Sequence, residues 1–297
     1  MPGGERPSIL PGMAPTSPLI APEDLVGRLD DPGLRLLDVR WWLTEPGRGH
    51  RDYLAGHLPG AVWVDLDTDL TAPTGPGRHP LPDPAVFAAR MAALGVDDAL
   101  DVVAYDDVGG TIAARIWWML EDLGHRSVRV LDGGYTAWAA AGLPVTSVVP
   151  EAPAPGRLAL ADHWTRVIDR ERLVERLGGV AVVDARAPER YRGDTEPVDP
   201  YPGHIPTAVN LPLPGNLDAG GRFLDAARLR ERFAALGDPV VVACGSGVNA
   251  CHNALAMRIA GLPDPLLYEG SYSDWSRAGM PVATGDEPGS MPGSAAG

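Results

Sequence analysis

The sequence of 297 residues contains no lysine; all 25 of its basic residues are arginine. Schiff-base chemistry on a lysine and the lysine of a phosphate-binding loop are therefore excluded. Cysteine occurs only as Cys244 and Cys251, too few for a disulfide framework or a four-ligand structural zinc site, which leaves a reactive thiol open. No apolar run approaches the roughly 18 residues of a membrane span. The first eighteen residues carry five prolines and three glycines without the apolar stretch of a secretory signal, so the expected setting is cytoplasmic. Positive charge is also scarce: 25 basic against 39 acidic residues give a net charge of -14. That balance argues against nucleic acid or an anionic membrane surface as the main partner, and any anionic ligand must be drawn by a local arginine cluster.

What is present is globular. Hydrophobic residues make up 45% and charged residues 22%, and the length is about twice that of a usual domain, so two domains of roughly 130 residues are expected. Sliding the sequence against itself shows two related halves, a domain-sized duplication. Leu36-Leu37-Asp38-Val39-Arg40 followed by Gly56-His57-Leu58-Pro59-Gly60 matches Val182-Val183-Asp184-Ala185-Arg186 followed by Gly203-His204-Ile205-Pro206. Asp101 to Asp106 matches Pro239 to Cys244, and Trp138 with Gly142-Leu143-Pro144-Val145 matches Trp275 with Gly279-Met280-Pro281-Val282. Short apolar runs alternate with helical patterns in each half, the signature of an α/β fold: an open, mostly parallel sheet with helices on both faces. The expected division is a disordered tail over 1–18, a first domain over 19–146, a linker over 147–158, a second domain over 159–284 and a disordered tail over 285–297. Helices are expected over 112–123, capped by Gly124, and over 250–260, stopped by Gly261.

The loop Cys244-Gly245-Ser246-Gly247-Val248-Asn249 joins a buried strand to that second helix. Two glycines let the backbone curl so that successive N–H groups point inward, and the helix start adds positive partial charge. A thiolate is favoured there, which makes Cys244 a candidate nucleophile at the carboxyl end of a strand. Cys251, inside the helix, reads as packing, and adjacent His252 has no further cysteine with which to hold zinc. A phosphatase with such a loop carries an arginine six residues after its cysteine; here position 250 is alanine.

With Leu131-Asp132-Gly133-Gly134 and the paired Gly-His-Leu/Ile-Pro turns, this loop makes residues 20–284 resemble the tandem-domain sulfurtransferases of the rhodanese family, nearest those that use 3-mercaptopyruvate or thiosulfate. The resemblance implies two rhodanese-like domains, of which only the second is catalytic; Asp106 stands where the first would need a cysteine. It implies a persulfide on Cys244, loaded from a small anionic donor and unloaded to cyanide or a thiol, with a thioredoxin-like protein among the acceptors, and it implies no metal and no organic cofactor. Arg190 matches the family's substrate-binding arginine, with Gly245, Gly247, Val248 and Asn249 around the donor. Ser246 and His57 resemble the hydroxyl and imidazole that handle the proton of the departing enolate, without a clear acidic partner beyond the overly near Asp52. His204, in the equivalent turn, reads as structural, Arg186 as an ion-pair partner of nearby acids, Arg115 as answering local acids, and Trp41-Trp42 and Trp117-Trp118 as packing. The family's second arginine has no counterpart in Asp194 to Pro202. Thiosulfate-using members place cations directly after the cysteine; the uncharged Gly245-Ser246-Gly247 favours 3-mercaptopyruvate. The alternatives are a thiosulfate:cyanide sulfurtransferase and a non-enzymatic persulfide carrier.

Overall fold

Apolar runs such as Val102-Val103-Ala104-Tyr105 and Val240-Val241-Val242-Ala243 cannot present a polar face, so they settle where both faces of a sheet are covered. The structure, a computed structural model, describes residues 17–291. In the first half, strands β1 (Leu19–Ile20), β2 (Leu34–Asp38), β3 (Val62–Trp63), β4 (Asp101–Tyr105) and β5 (Val128–Leu131) form a parallel sheet in the order β1-β5-β4-β2-β3. In the second half, β6 (Val167–Ile168), β7 (Ala181–Asp184), β8 (Ala208–Asn210), β9 (Val240–Ala243) and β10 (Leu266–Tyr268) repeat it as β6-β10-β9-β7-β8. Helices α1 (Pro22–Leu25), α2 (Arg48–Ala55), α3 (Pro84–Ala93), α4 (Thr111–Asp122) and α5 (Gly134–Ala140) accompany the first sheet. Helices α6 (Arg170–Arg176), α7 (Pro188–Arg192), α8 (Ala226–Phe233), α9 (Val248–Ile259) and α10 (Ser271–Arg277) accompany the second.

The domains meet through α4 and α9, which pack against each other. Every residue of α4 except Glu121 is buried, because its outer side meets the other domain instead of water. One apolar cluster runs through this seam and includes Ile112, Ile116 and Leu120 with Ala254 and Leu255. Each of these isoleucine and leucine side chains contributes about 1.5–3 kcal/mol on full burial, so the seam is a core and fixes the two loops that meet there. Trp117 and Trp118 are buried in it, Trp118 stacking on Trp164 at 5.8 Å and Trp117 lying under Arg258 at 5.6 Å.

Duplication is visible in polar detail. Arg40 pairs with Asp38 at 2.7 Å and donates to Gly56 O at 2.7 Å, while Arg186 pairs with Asp184 at 2.6 Å and donates to Gly203 O at 2.7 Å. His57 stacks on Tyr53 at 4.1 Å with Nδ1 2.7 Å from Tyr53 O; His204 stacks on Tyr191 at 3.7 Å with Nδ1 2.8 Å from Tyr191 O.

Residues 1–16 and 292–297, where most of the two expected tails fall, lie outside the described residues. The described part of the C-terminal stretch corrects the expectation of disorder from 285 onward. Gly285 N donates to Arg192 O at 2.9 Å and Thr207 N donates to Pro288 O at 2.7 Å, so the stretch is held by backbone pairing to the turn around His204. The irregular connection extends from 147 to 166 and is fastened to the first domain, with Arg157 N donating to Asp97 Oδ2 at 2.7 Å.

Candidate active site

Cys244 sits directly after β9, and residues 245–247 turn the chain into α9. Its Sγ accepts from Gly247 N at 3.1 Å and Ser246 N at 3.4 Å, so two backbone amides of the loop converge on the sulfur. Gly247 has φ +79°, and a Cβ there would lie 2.4 Å from Glu269 O, so both conformation and space demand glycine. Because Gly247 is itself the cap, α9 begins at Val248, two residues before the expected start. Cys244 N donates to Ser271 Oγ at 3.0 Å and Tyr272 N to Cys244 O at 2.9 Å, which anchors the cysteine on α10.

Beside the sulfur is a cavity of about 250 Å³. The structure brings Arg190, Gly245, Ser246, Val248 and Asn249 to its wall, with Gly247 in the loop behind them. It also brings Trp41, Leu43, Arg78 and His79 from the first domain. His79 Nδ1 lies 2.8 Å from Ser246 Oγ, and His79 Nε2 faces Asp67 Oδ1 at 3.7 Å. Trp41, expected only to pack, donates from Nε1 to Asp67 Oδ2 at 2.9 Å and meets the His79 ring edge-on at 5.4 Å. Burial, and then the nearby Arg115 guanidinium, push the His79 imidazole down to about 4, so it is neutral at pH 7 and able to accept a proton.

This corrects the placement of the imidazole at His57. His57 Nε2 lies 3.2 Å from Val148 O, and its other nitrogen and its ring face are taken by Tyr53. Its contacts repeat those of His204, in the domain that has its own cysteine, which is the behaviour of a turn-fastening residue. Asp52 belongs to an exposed ion pair with Arg48 at 3.2 Å.

Arg190 donates to Glu196 Oε1 at 2.6 Å and to Asp199 Oδ2 at 3.1 Å. Arg186 forms the buried pair with Asp184 and lies 3.8 Å from the centre of the Tyr272 ring. Arg115 departs from expectation: its partners are carbonyls rather than acids, at His79 O (2.8 Å), Gly247 O (3.2 Å) and Leu70 O (3.4 Å). One buried cation thereby fastens the imidazole's segment to the cysteine loop. Cys251 Sγ donates to Gly247 O at 3.4 Å, and burial pushes its thiol up to about 12, so it is packing. His252 stacks on Phe223 at 4.5 Å with Nε2 3.0 Å from Gly109 O. Among the described residues no cluster of three or more His, Cys, Asp or Glu is placed to hold a metal ion.

The first domain has the same cradle, filled differently. Asp106 follows β4 as Cys244 follows β9, and its carboxylate accepts from the amides of Val108, Gly110, Ile112 and Ala113 at 2.7–2.9 Å. Gly110 caps α4 as Gly247 caps α9, so the amides of Asn249 and Ala250 hold the helix positions of Ile112 and Ala113.

A family model described as a rhodanese-like domain matches residues 21–141 and again residues 169–278. The chain belongs to the rhodanese family of sulfurtransferases. It is 46% identical over 280 residues to a probable 3-mercaptopyruvate sulfurtransferase of Pseudomonas aeruginosa, covering 90% of this chain and 98% of that protein. It is 35% identical to the thiosulfate sulfurtransferase of Bos taurus over 84% of this chain and 87% of that one. Among solved structures, the 3-mercaptopyruvate sulfurtransferase from Leishmania major superposes with a TM-score of 0.79 at 32% identity, over 89% of this chain and 76% of that chain. Like those relatives, this rhodanese is an enzyme, and among the described residues no helix is long and apolar enough to cross a membrane.

His79 and Arg78 are the residues on the cavity wall that sequence reasoning missed. Each half contains a loop before an aspartate-capped helix, Gly77-Arg78-His79 ahead of Asp83 and Gly221-Arg222-Phe223 ahead of Asp225, and each loop docks on the other domain. Leu81 N donates to Glu269 Oε2 at 2.9 Å, and Phe223 N donates to Asp132 Oδ1 at 2.9 Å. The paired loops differ in the prolines Pro80 and Pro82 and in histidine against phenylalanine, and the last difference is the signal that could have found the imidazole.

Proposed function

We propose that this rhodanese transfers sulfane sulfur from 3-mercaptopyruvate through a Cys244 persulfide to a thiol or cyanide. The observation that carries the reading is the Ser246–His79 pair on the wall of the Cys244 cavity. Thiosulfate releases sulfite without any proton transfer, whereas 3-mercaptopyruvate must release an enolate, which becomes pyruvate only when its carbon is protonated. In the proposed step the Cys244 thiolate attacks the donor sulfur and the donor's C–S bond breaks, its electron pair passing to the departing carbon. The donor's thiol proton moves through Ser246 Oγ and His79 to that carbon, leaving pyruvate and an anionic persulfide. A thiol acceptor then takes the outer sulfur and contributes its own proton to the new persulfide, which restores the thiolate; cyanide leaves as thiocyanate.

Asp106 supports the persulfide half of the reading. Its side chain reaches one atom further into its cradle than a cysteine thiolate does, and its outer oxygen meets the amides of Ile112 and Ala113 at 2.7 and 2.9 Å. A persulfide on Cys244 has the same added reach toward the amides of Asn249 and Ala250. Small thiols and a thioredoxin-like protein are the proposed acceptors, in a cytoplasmic setting whose reducing poise suits two unpaired cysteines. Mass spectrometry after incubation with each donor tests the proposal. Mercaptopyruvate is expected to add about 32 Da, one sulfur, and Cys244→Ser to abolish the adduct. An unmodified protein, or a larger kcat/KM for thiosulfate, overturns the donor assignment.

A further inference from the structure

Ser273, on α10, does not line the Cys244 cavity, yet it is fully buried and joins the two segments that carry the reacting groups. Its backbone N–H donates to Gly245 O at 2.9 Å, one residue past the nucleophile. Its Oγ accepts from Arg78 N at 3.1 Å, one residue before His79. The hydroxyl proton goes to Gly270 O at 3.0 Å, so a lone pair is turned toward Arg78 and the direction of that bond is fixed. Gly77 shows how close the approach is: with φ +77°, a Cβ there would lie 2.5 Å from Gly270 O and 2.7 Å from Ser273 Oγ. The Arg78 side chain turns instead to Asp199, with which it is ion-paired.

The other half of the duplication directs the equivalent groups elsewhere. Tyr135 N donates to Asp106 O at 2.8 Å as Tyr272 N does to Cys244 O, so Thr136 holds the position of Ser273. Thr136 Oγ1 donates to Asp107 in its own domain. Arg222 N, the counterpart of Arg78 N, donates to Asp218 Oδ1 at 3.1 Å, also in its own domain. The serine hydroxyl thus reaches across the seam on the side with the nucleophile and the imidazole, whereas its counterpart stays at home. A requirement of the fold alone would have been met in both halves alike.

Resting on the donor reading above, we infer that Ser273 is a positioning residue that sets the His79 imidazole against Ser246 beside the sulfur. Two fastenings hold the His79 segment from other directions, Arg115 at His79 O and Glu269 at Leu81 N. Ser273 adds a third at the residue before His79 and ties it to the residue after Cys244, so the two reacting segments share one reference point. Proton transfer needs its partners within hydrogen-bond reach, and a displacement of about 1 Å can cost on the order of 10²-fold in rate. Release of sulfite needs no such proton, so turnover of thiosulfate is indifferent to the displacement.

Histidine titration by NMR and steady-state rates with both donors test this on Ser273→Ala. The His79 ring faces the charges of Arg115, Asp67 and Arg78, all kept in the variant, so a change in its titration reports its placement. The ring is expected to protonate above its wild-type value of about 4, because a loosened segment admits water. The kcat with mercaptopyruvate is expected to fall by about tenfold to a hundredfold, and that with thiosulfate by less than about twofold. Gly77→Ala, whose added Cβ pushes the same contact apart from the side of the first domain, is expected to do likewise. Thr136→Ala, at the equivalent position, is expected to change neither rate. An unmoved titration, or equal losses with both donors, overturns the role of Ser273. If the titration moves while mercaptopyruvate adds no sulfur to the wild type, the positioning by Ser273 stands and the donor reading falls.

Discussion

His79 Nδ1 and Ser246 Oγ lie 2.8 Å apart although 167 residues separate them in sequence and each belongs to a different domain. Neither domain alone contains the pair. The proposed proton relay is thus assembled from both domains, and the domain that lacks a cysteine supplies half of it.

Removing the imidazole should separate the two donors. His79→Asn is expected to lower kcat with mercaptopyruvate by about 10²–10⁴-fold, the usual contribution of a positioned acid or base, and to leave thiosulfate turnover near wild type. His57→Asn serves as the control: it should lower the melting temperature through the lost Tyr53 and Val148 contacts and leave the donor ratio unchanged. Steady-state rates with both donors, normalised to folded protein, decide between the two histidines.

Arg115 offers a test of positioning rather than contact with substrate. Replacing it with methionine leaves the carbonyls of His79, Gly247 and Leu70 without their donor and should cost about 2–4 kcal/mol of stability. A purely structural residue would do no more. Since the Arg115 cation also holds the His79 imidazole down, its loss should move the acid limb of the mercaptopyruvate kcat profile to higher pH. An acid limb that stays in place would reduce Arg115 to a structural brace.

The architecture was legible because its physics is local and written twice. Apolar runs of four or five residues cannot be half-exposed, and the two copies of Asp-x-Arg and Gly-His mark equivalent turns, so two parallel sheets follow from pattern alone. The placement of Cys244, Arg190 and Arg186 around one cavity was legible for the same reason, since each lies in or next to an element whose type its neighbours dictate. His79 was not. It lies in a glycine- and proline-rich stretch without periodicity, and its role comes from docking against Glu269, Ser273 and Ser246, all of them more than 165 residues away in the chain. His57 drew attention because the Gly-His-Leu-Pro motif is regular, yet regularity in both halves marks a requirement of the fold. The Arg78–Asp199 pair escaped notice because it needs the relative placement of both domains.

Acid should weaken the seam over a defined window. His79 and His252 are each pushed down to about 4 by burial, so between pH 6.5 and about 4 the unfolded chain binds a proton at these positions and the folded protein does not. Stability contributed by the neutral rings is complete above pH 6.5 and is lost as pH falls toward 4, on the order of 3 kcal/mol for each histidine. Denaturant titrations at intervals across that window should show His252→Asn with a shallower fall than wild type. Parallel curves would show that protonation of His252 does not govern the acid response.

Asp106 and Cys244 occupy equivalent cradles, and the difference between them predicts how each loop tolerates substitution. The Asp106 carboxylate satisfies four buried N–H groups by itself, so Asp106→Ala leaves all four unpaired and should destabilise the protein by about 3–5 kcal/mol. Asp106→Asn keeps one accepting oxygen and should lose roughly half as much. Cys244→Ala leaves a cradle that opens on a solvent-accessible cavity, where water can satisfy the amides, so it should abolish sulfur transfer while changing the melting temperature little. Thermal melts of the three variants beside their activities check the contrast. If Cys244→Ala were as destabilising as Asp106→Ala, the second cradle would be a closed structural plug like the first, and a site that must admit a donor and release an acceptor could not be built on it.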